Sequence, residues 1–128
     1  MTETLDTSAV LRLLTGEPAT QAEQIRRLLE QADGPVVVES LVIAESYFAL
    51  RHHYGVPHRE AVQALLDLLS SDRVRAAAES RVALVGALTT EHPGVMDRLI
   101  LEVARANART LLTFDRQLAR LDGARLIA

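Results

Sequence analysis

Residues 33–45, which read DGPVVVESLVIAE, contain the pattern that decides the fold. The Gly-Pro pair ends the helical segment before it, and the three valines at 36–38 form an apolar β-branched run typical of a buried strand. Ser40 is a suitable N-cap for a long helix, which we expect to run to about Tyr54. A strand followed by a helix in this way predicts a sheet with helices packed against it.

The same alternation of short strands and helical segments continues on both sides of this stretch. Further strands are predicted at residues 4–6, 73–76, 110–113 and 125–127, and helices at 8–14, 22–32, 58–70, 80–88, 95–107 and 115–121. Because strands joined through helices must run parallel, we expect an α/β fold with a central, mainly parallel five-stranded sheet flanked by helices. The 128 residues suit a single domain, 1–128.

The composition excludes several classes of protein and of chemistry. No apolar run approaches the roughly 20 residues that a membrane span needs, and the N-terminus lacks the features of a secretory signal. The sequence contains no cysteine, which removes disulfides, thiolate nucleophiles and zinc–cysteine sites. All 14 basic residues are arginine, so lysine-dependent chemistry is also excluded. We expect a cytoplasmic protein without a membrane partner.

Net charge limits the way in which the chain can bind nucleic acid. The formal charge is −3, with 17 acidic and 14 basic residues. Proteins that grip a long nucleic acid by backbone charge alone are usually basic. Any contact with RNA is therefore expected to be local, or to be assisted by bound cations.

Four acidic residues stand where a parallel sheet places its functional groups. Asp6 ends the first predicted strand, Asp115 follows the fourth, Glu45 lies in the helix after the second, and Asp97 opens the helix before the fourth. Ligands bind at the carboxyl ends of strands in such sheets. Grouped carboxylates repel one another unless a cation neutralises them, and hard cations prefer carboxylate oxygens. The placement predicts a site for one or two such ions.

Each acid also has a purely structural explanation. Asp6 and Asp115 each precede a helix and are favoured N-cap residues. Asp97 lies in a first helical turn, where a negative charge interacts favourably with the helix dipole. Glu45 is the hardest to explain in this way, because it shares a helical face with Leu41, Phe48 and His52 inside an apolar stretch. A lone acid in such a stretch is seldom buried without a partner.

Four short motifs resemble those of a known family. They are Asp6-Thr7-Ser8 followed by VLRLL, Val42-Ile43-Ala44-Glu45, Asp97-Arg98-Leu99-Ile100, and Leu112-Thr113-Phe114-Asp115-Arg116. In their order and spacing they resemble the PIN domain, and in particular the VapC-type toxins of toxin–antitoxin pairs. The resemblance spans nearly the whole chain and implies a PIN-like three-layer sandwich.

The resemblance also implies an activity and partners. It implies a Mg²⁺- or Mn²⁺-dependent endoribonuclease that acts on RNA, forms a homodimer and is inhibited by a small antitoxin protein. The implied metal-binding and catalytic acids are Asp6, Glu45, Asp97 and Asp115, and the hydroxyl groups that orient them belong to Thr7, Ser8 and Thr113. The chain departs from the pattern at residues 91–95 and at Gln117, where relatives carry further acids. Four acids remain, which is enough for one ion.

Four arginines flank the motifs and are candidates for contact with RNA phosphates, although ordinary surface solubility is the better explanation for any single one of them: Arg12, Arg51, Arg98 and Arg116. A transition-metal site at His52, His53 and His58 is rejected, because adjacent histidines point to different helix faces.

Several other interpretations stay open at this stage. Apolar residues near Val10 and on the 22–29 segment form either an antitoxin groove or plain core. The alternatives for function are a catalytically inactive PIN-fold interaction module, a PIN nuclease of RNA processing without an antitoxin, and a small α/β protein whose acids are only caps.

Overall fold

The computed structural model describes residues 2–128, which divide into two compact units, the first ending at Ala77 and the second running from Ala78 to Ala128. Its elements are α1 (Thr7–Thr15), α2 (Ala19–Gln31), β1 (Val36–Val38), α3 (Ser40–His52), α4 (His58–Leu69), β2 (Val74–Ala76), α5 (Ala78–Thr89), α6 (Val95–Ala106), β3 (Leu111–Thr113), a 3-10 helix (Leu118–Arg120) and β4 (Ala124–Leu126). No helix within residues 2–128 combines the length and the apolar character that a membrane crossing requires.

In the first unit, β1 is the central strand. It pairs in parallel with β2, with Val36 opposite Val74. On its other side, the segment before α1 runs parallel to it, since the Leu5 amide donates to the Val37 carbonyl and the Val37 amide donates to the Glu3 carbonyl, both at 2.9 Å. Val36 and Val38 are buried, as their apolar β-branched character predicts.

The helices of the first unit surround a continuous apolar core. α1 packs against α2 and α3, and α3 packs against α4. The core residues that they supply are Val10, Ala22, Leu29, Ile43, Ala49, Leu50, Ala61, Val62, Leu65, Leu66, Leu68 and Leu69. Val10, Ala22 and Leu29 are therefore core residues, whereas Leu28 on α2 is 43% exposed, and an antitoxin groove in this region stays a prediction.

In the second unit, α5 packs against α6, and β3 pairs in parallel with β4, with Leu111 opposite Ala124. The turn before β4 requires glycine. Gly123 has a φ of 92°, and a Cβ at this position would lie 2.9 Å from Arg105 Cγ. Arg105 is held there by hydrogen bonds from its Nη1 to the Asp122 carbonyl at 2.6 Å and to Asp122 Oδ2 at 3.1 Å.

The predicted α/β class is confirmed, but a single five-stranded sheet is not. Residues 2–128 contain four strands of three residues each, as one two-stranded parallel sheet in each unit. The first predicted strand is reduced to one bridge between Thr4 and Val37. The reason is that the chain leaves extended pairing at Asp6, which already caps α1.

Two predicted details at helix starts are wrong. Ser40 is the first residue of α3 and not its N-cap; Glu39 precedes the helix and makes no side-chain capping bond. The helix predicted at 115–121 is a 3-10 helix over Leu118–Arg120, because the Asp115 carboxylate binds the amides of the preceding turn.

Candidate functional site

Asp6 lies at the junction of the extended N-terminal segment and α1. Its Oδ1 accepts a hydrogen bond from the Ala9 amide at 2.9 Å and another from the Ser8 hydroxyl at 2.7 Å. The prediction that Asp6 caps the first helix is thus confirmed. Both bonds end on Oδ1, so Oδ2 is the oxygen with the greater freedom to bind a cation.

The surroundings of Asp6 favour its charged form. The Ser8 hydroxyl first, and then the Ala9 amide, hold the pKa of Asp6 below its ordinary value of 3.8, with smaller lowering by the Ser8 amide and the Arg12 charge against a raising effect of burial. Asp6 is therefore ionised at neutral pH, which is the state that metal coordination requires.

Glu45 is bound to the residue that follows Asp6. The Thr7 hydroxyl, in the first turn of α1, donates to Glu45 Oε1 on α3 at 2.8 Å. Through Thr7 and Ser8, two consecutive hydroxyl groups thus contact two carboxylates that are distant in sequence. The role in orienting metal-binding acids that the family resemblance implies for Thr7 and Ser8 stays a prediction.

Glu45 shares a face of α3 with Leu41 and Phe48 as predicted, but this face is exposed and not buried. α3 turns Ile43, Ser46 and Ala49 inward, while Leu41 is 73% exposed and Phe48 is 44% exposed. Glu45 lies on this solvent-facing side. The carboxylate needs no buried partner, and it is accessible to a ligand.

Asp115 in the second unit also binds backbone amides through Oδ1, which accepts from Gln117 at 2.9 Å and from Leu118 at 3.2 Å. The residue at the N-cap position of the following 3-10 helix is Gln117 and not Asp115. Its own amide donates to the Thr113 hydroxyl at 2.9 Å. Thr113 therefore positions the backbone of Asp115 and does not itself bind the carboxylate.

Asp97 lies in the first turn of α6, as predicted, where its charge faces the positive end of the helix dipole. It is half-buried. Across residues 2–128, no hydrogen bond or ion pair reaches its carboxylate. Asp97 thus differs from the other three acids in having both oxygens available.

These acids fit a hard divalent cation by donor type, since all of them offer carboxylate oxygens and Asp6 is held ionised. The first unit links Asp6 and Glu45 through Thr7 and Ser8, and the second unit contains Asp97 and Asp115. Among the described residues, no group of three or more histidine or acidic side chains is arranged to hold an ion.

Three of the four arginines that the sequence suggests for contact with RNA phosphates form hydrogen bonds within the chain. Arg12 donates to the Gln21 side chain and to the Ser8 carbonyl, and Arg51 donates to the Val56 carbonyl at 3.1 Å. Arg98 donates to the Pro93 carbonyl and the Thr90 hydroxyl, both at 2.7 Å.

Arg116 is exposed, and its side chain has no partner in the described part of the chain. It is the candidate best placed to contact a phosphate.

The Arg98 side chain holds neighbouring segments of the chain in place, a role that was not predicted from the sequence. Its guanidinium lies over Gly86 of α5, where a Cβ would come within 2.5 Å of Arg98 Nη1. Together with the bonds to Thr90 and Pro93, this contact fixes the connection that leads to Asp97. A glycine inside an otherwise regular helix was the available signal.

The histidines take part in aromatic contacts. The Tyr47 hydroxyl and His58 Nδ1 form a 2.6 Å hydrogen bond, and the ring of His52 lies 4.4 Å from that of Phe48.

We predict that Ser8→Ala raises the pKa of Asp6 towards its ordinary value, because Ser8 is the largest cause of the lowering. A depressed carboxyl pKa stabilises the fold above the unfolded-state pKa, and this contribution is lost as the pH falls through the folded-state pKa. Ser8→Ala should therefore be less stable than the parent at neutral pH, with the difference shrinking in acid. Carboxyl ¹³C NMR titration and urea unfolding measure both effects. An unchanged Asp6 titration would contradict the assignment.

Comparison with known proteins identifies the family of the chain. No curated protein matches the chain with significant similarity. The family described as PIN domain matches residues 4–124, which is nearly the whole chain and includes all four candidate acids. PIN domains have a nuclease fold and usually depend on divalent metal ions. The chain therefore belongs to the PIN domain family.

Proposed function

We propose that the chain is a Mg²⁺- or Mn²⁺-dependent endoribonuclease that hydrolyses RNA phosphodiester bonds. The observation that supports this most directly is the pair of hydroxyl groups on Thr7 and Ser8, each bound to a carboxylate, in a chain that belongs to a family of nucleases. A helix cap needs only the acceptor oxygen of Asp6. It does not need the hydrogen bond between the next residue, Thr7, and a second carboxylate, that of Glu45.

In this proposal, Asp6, Glu45, Asp97 and Asp115 supply the metal ligands. Carboxylates that share a site repel one another unless a cation neutralises their charge. The single-domain organisation expected from the sequence is part of the same proposal.

The chain's own groups perform the remaining tasks of the reaction. A bound divalent ion supplies activation of water at neutral pH and neutralises charge at the phosphate. Ser8 keeps Asp6 ionised, and Thr7 limits the orientations of Glu45. The Asp97 carboxylate is free to accept a hydrogen bond or bind a cation, and Arg116 offers paired N–H donors to a phosphate oxygen.

The biological role that we propose is that of a cytoplasmic toxin with a small antitoxin partner, as a homodimer. Its support is the resemblance of the four motifs, together with three exposed apolar residues at helical spacing on α6, which are Met96, Ile100 and Val103. α6 buries Leu99 and leaves these three residues exposed.

A specific observation favours the alternative of an inactive interaction module: Asp6 already serves as a helix cap. Removing the charge of Asp6 without removing its capping oxygen separates the two functions. Asn caps helices as well as Asp does. We therefore expect Asp6→Asn to lower Mn²⁺-dependent cleavage of total RNA by about 100-fold or more, while the unfolding free energy without metal changes by less than about 0.5 kcal/mol.

Asp72→Asn is the matched control, because it removes the same charge from an exposed aspartate outside the motifs. It should cleave like the parent. Equal cleavage by the parent and Asp6→Asn, or cleavage that persists in EDTA, would reject the proposed role of Asp6.

Thr7→Val tests the bond between α1 and Glu45. Valine keeps the shape of threonine and removes the hydroxyl, so Glu45 loses its 2.8 Å hydrogen bond. We expect the Mn²⁺ concentration for half-maximal cleavage to rise about tenfold. Thr15→Val is the control on the same helix, since the Thr15 hydroxyl bonds only to nearby carbonyl groups and the Glu17 amide. Similar shifts in both variants would mean that the Thr7 effect is only structural.

The toxin role predicts that expression of the chain alone arrests growth of its host. Co-expression of a small protein encoded next to it should restore growth, and the two should purify together. Harmless expression of a chain that cleaves RNA in vitro would instead support a nuclease of RNA processing without an antitoxin.

A further inference from the structure

Phe114 is an aromatic side chain that folding leaves in solvent. It is 78% exposed, more than any other large apolar side chain in residues 2–128. The sequence has only two phenylalanines, two tyrosines and no tryptophan. Phe48 packs its ring against His52 and His53, whereas the ring of Phe114 has no aromatic neighbour in the part of the chain that the structure describes.

The backbone that carries Phe114 is held by hydrogen bonds on both sides. Before the ring, the Thr113 hydroxyl binds the Asp115 amide. After it, the Asp115 side chain binds the amides of Gln117 and Leu118, and the Asp115 carbonyl accepts from Ala119 at 3.0 Å. An aromatic group presented from an ordered turn loses little conformational freedom when it binds a ligand.

Positive charge is concentrated in the same part of the chain. Residues 107–128 contain four arginines and two aspartates, although the whole chain has a charge of −3. Asp122 is paired with Arg105 at 3.1 Å. Arg116, two residues after Phe114, has no partner among residues 2–128. The ligand that matches this segment is an anion that also carries flat apolar groups.

We infer that Phe114 stacks on an unpaired base of single-stranded RNA, while Arg116 contacts the phosphate backbone of the same strand. The inference rests on the proposed function, because Asp115, a proposed metal ligand, lies between these two residues. Aromatic side chains stack on bases that are not paired, and arginine binds the adjacent phosphates. Phe114 would thereby make cleavage selective for single-stranded segments.

A protein surface is the alternative ligand for Phe114, and it would contact different side chains from those that an RNA base contacts. Leu112 is 50% exposed on β3, and Arg125 lies opposite it in the parallel register. A protein surface would bury Leu112 together with Phe114, since both offer apolar area. A base requires the flat ring, and no aliphatic side chain replaces it.

Anisotropy of a fluorescent single-stranded RNA in EDTA measures binding without cleavage. We expect Phe114→Ala and Phe114→Leu to weaken binding roughly tenfold and Phe114→Trp to retain it. The control, Leu112→Ala, should bind within about twofold of the parent. Parent-like binding by Phe114→Ala or Phe114→Leu, an equal loss in Leu112→Ala, or no RNA binding by the parent would each overturn the inference.

Cleavage with Mn²⁺ separates this inference from the proposed function. Loss of cleavage in Asp6→Asn together with parent-like cleavage of single-stranded RNA by Phe114→Ala would leave the nuclease intact and overturn the stacking role. Ring-dependent RNA binding by a parent chain that cleaves with neither Mg²⁺ nor Mn²⁺ would support the stacking role and reject the nuclease.

Discussion

Two hydrogen bonds from consecutive hydroxyl groups hold the carboxylates on which the proposed chemistry depends. Ser8 binds Asp6 at 2.7 Å, and Thr7 binds Glu45 at 2.8 Å. The first bond keeps the pKa of Asp6 low, and the second links the start of α1 to α3 across 38 residues of sequence. Both carboxylates are thus held in solvent, where a cation can reach them.

One carboxylate can accept hydrogen bonds from backbone amides and bind a metal ion at the same time. Asp6 and Asp115 each use Oδ1 to accept backbone amides at the start of a helical turn. A carboxylate has two oxygens and about four acceptor sites, so a cap leaves capacity for a cation. The cap fixes the side chain in advance, which reduces the conformational entropy that ion binding would otherwise cost. What separates the two roles is the negative charge, which a cap does not need.

Most helices and strands could be predicted from the sequence, because Gly and Pro residues mark their ends and because short β-branched runs indicate strands. The face that α3 buries could not be predicted in this way. Leu41 and Phe48 share one face of the helix and Ile43 lies on another, so the apolar residues alone do not select a face, and tertiary packing buries Ile43. The acids Asp6 and Asp115 were recognisable from their positions after strands. Arg98 donates hydrogen bonds to Pro93 and Thr90. These bonds depend on distances within the folded chain, which no local sequence pattern encodes.

Diffraction from crystals soaked in Mn²⁺ tests the proposed metal site most directly, because the anomalous signal locates the ion independently of activity. We predict a peak about 2.1 Å from a carboxylate oxygen of Asp6, with Glu45 in its immediate surroundings. A map in which Mn²⁺ binds only elsewhere, or in which Asp6 contacts no ion at saturating Mn²⁺, would contradict the proposal that Asp6 is a metal ligand.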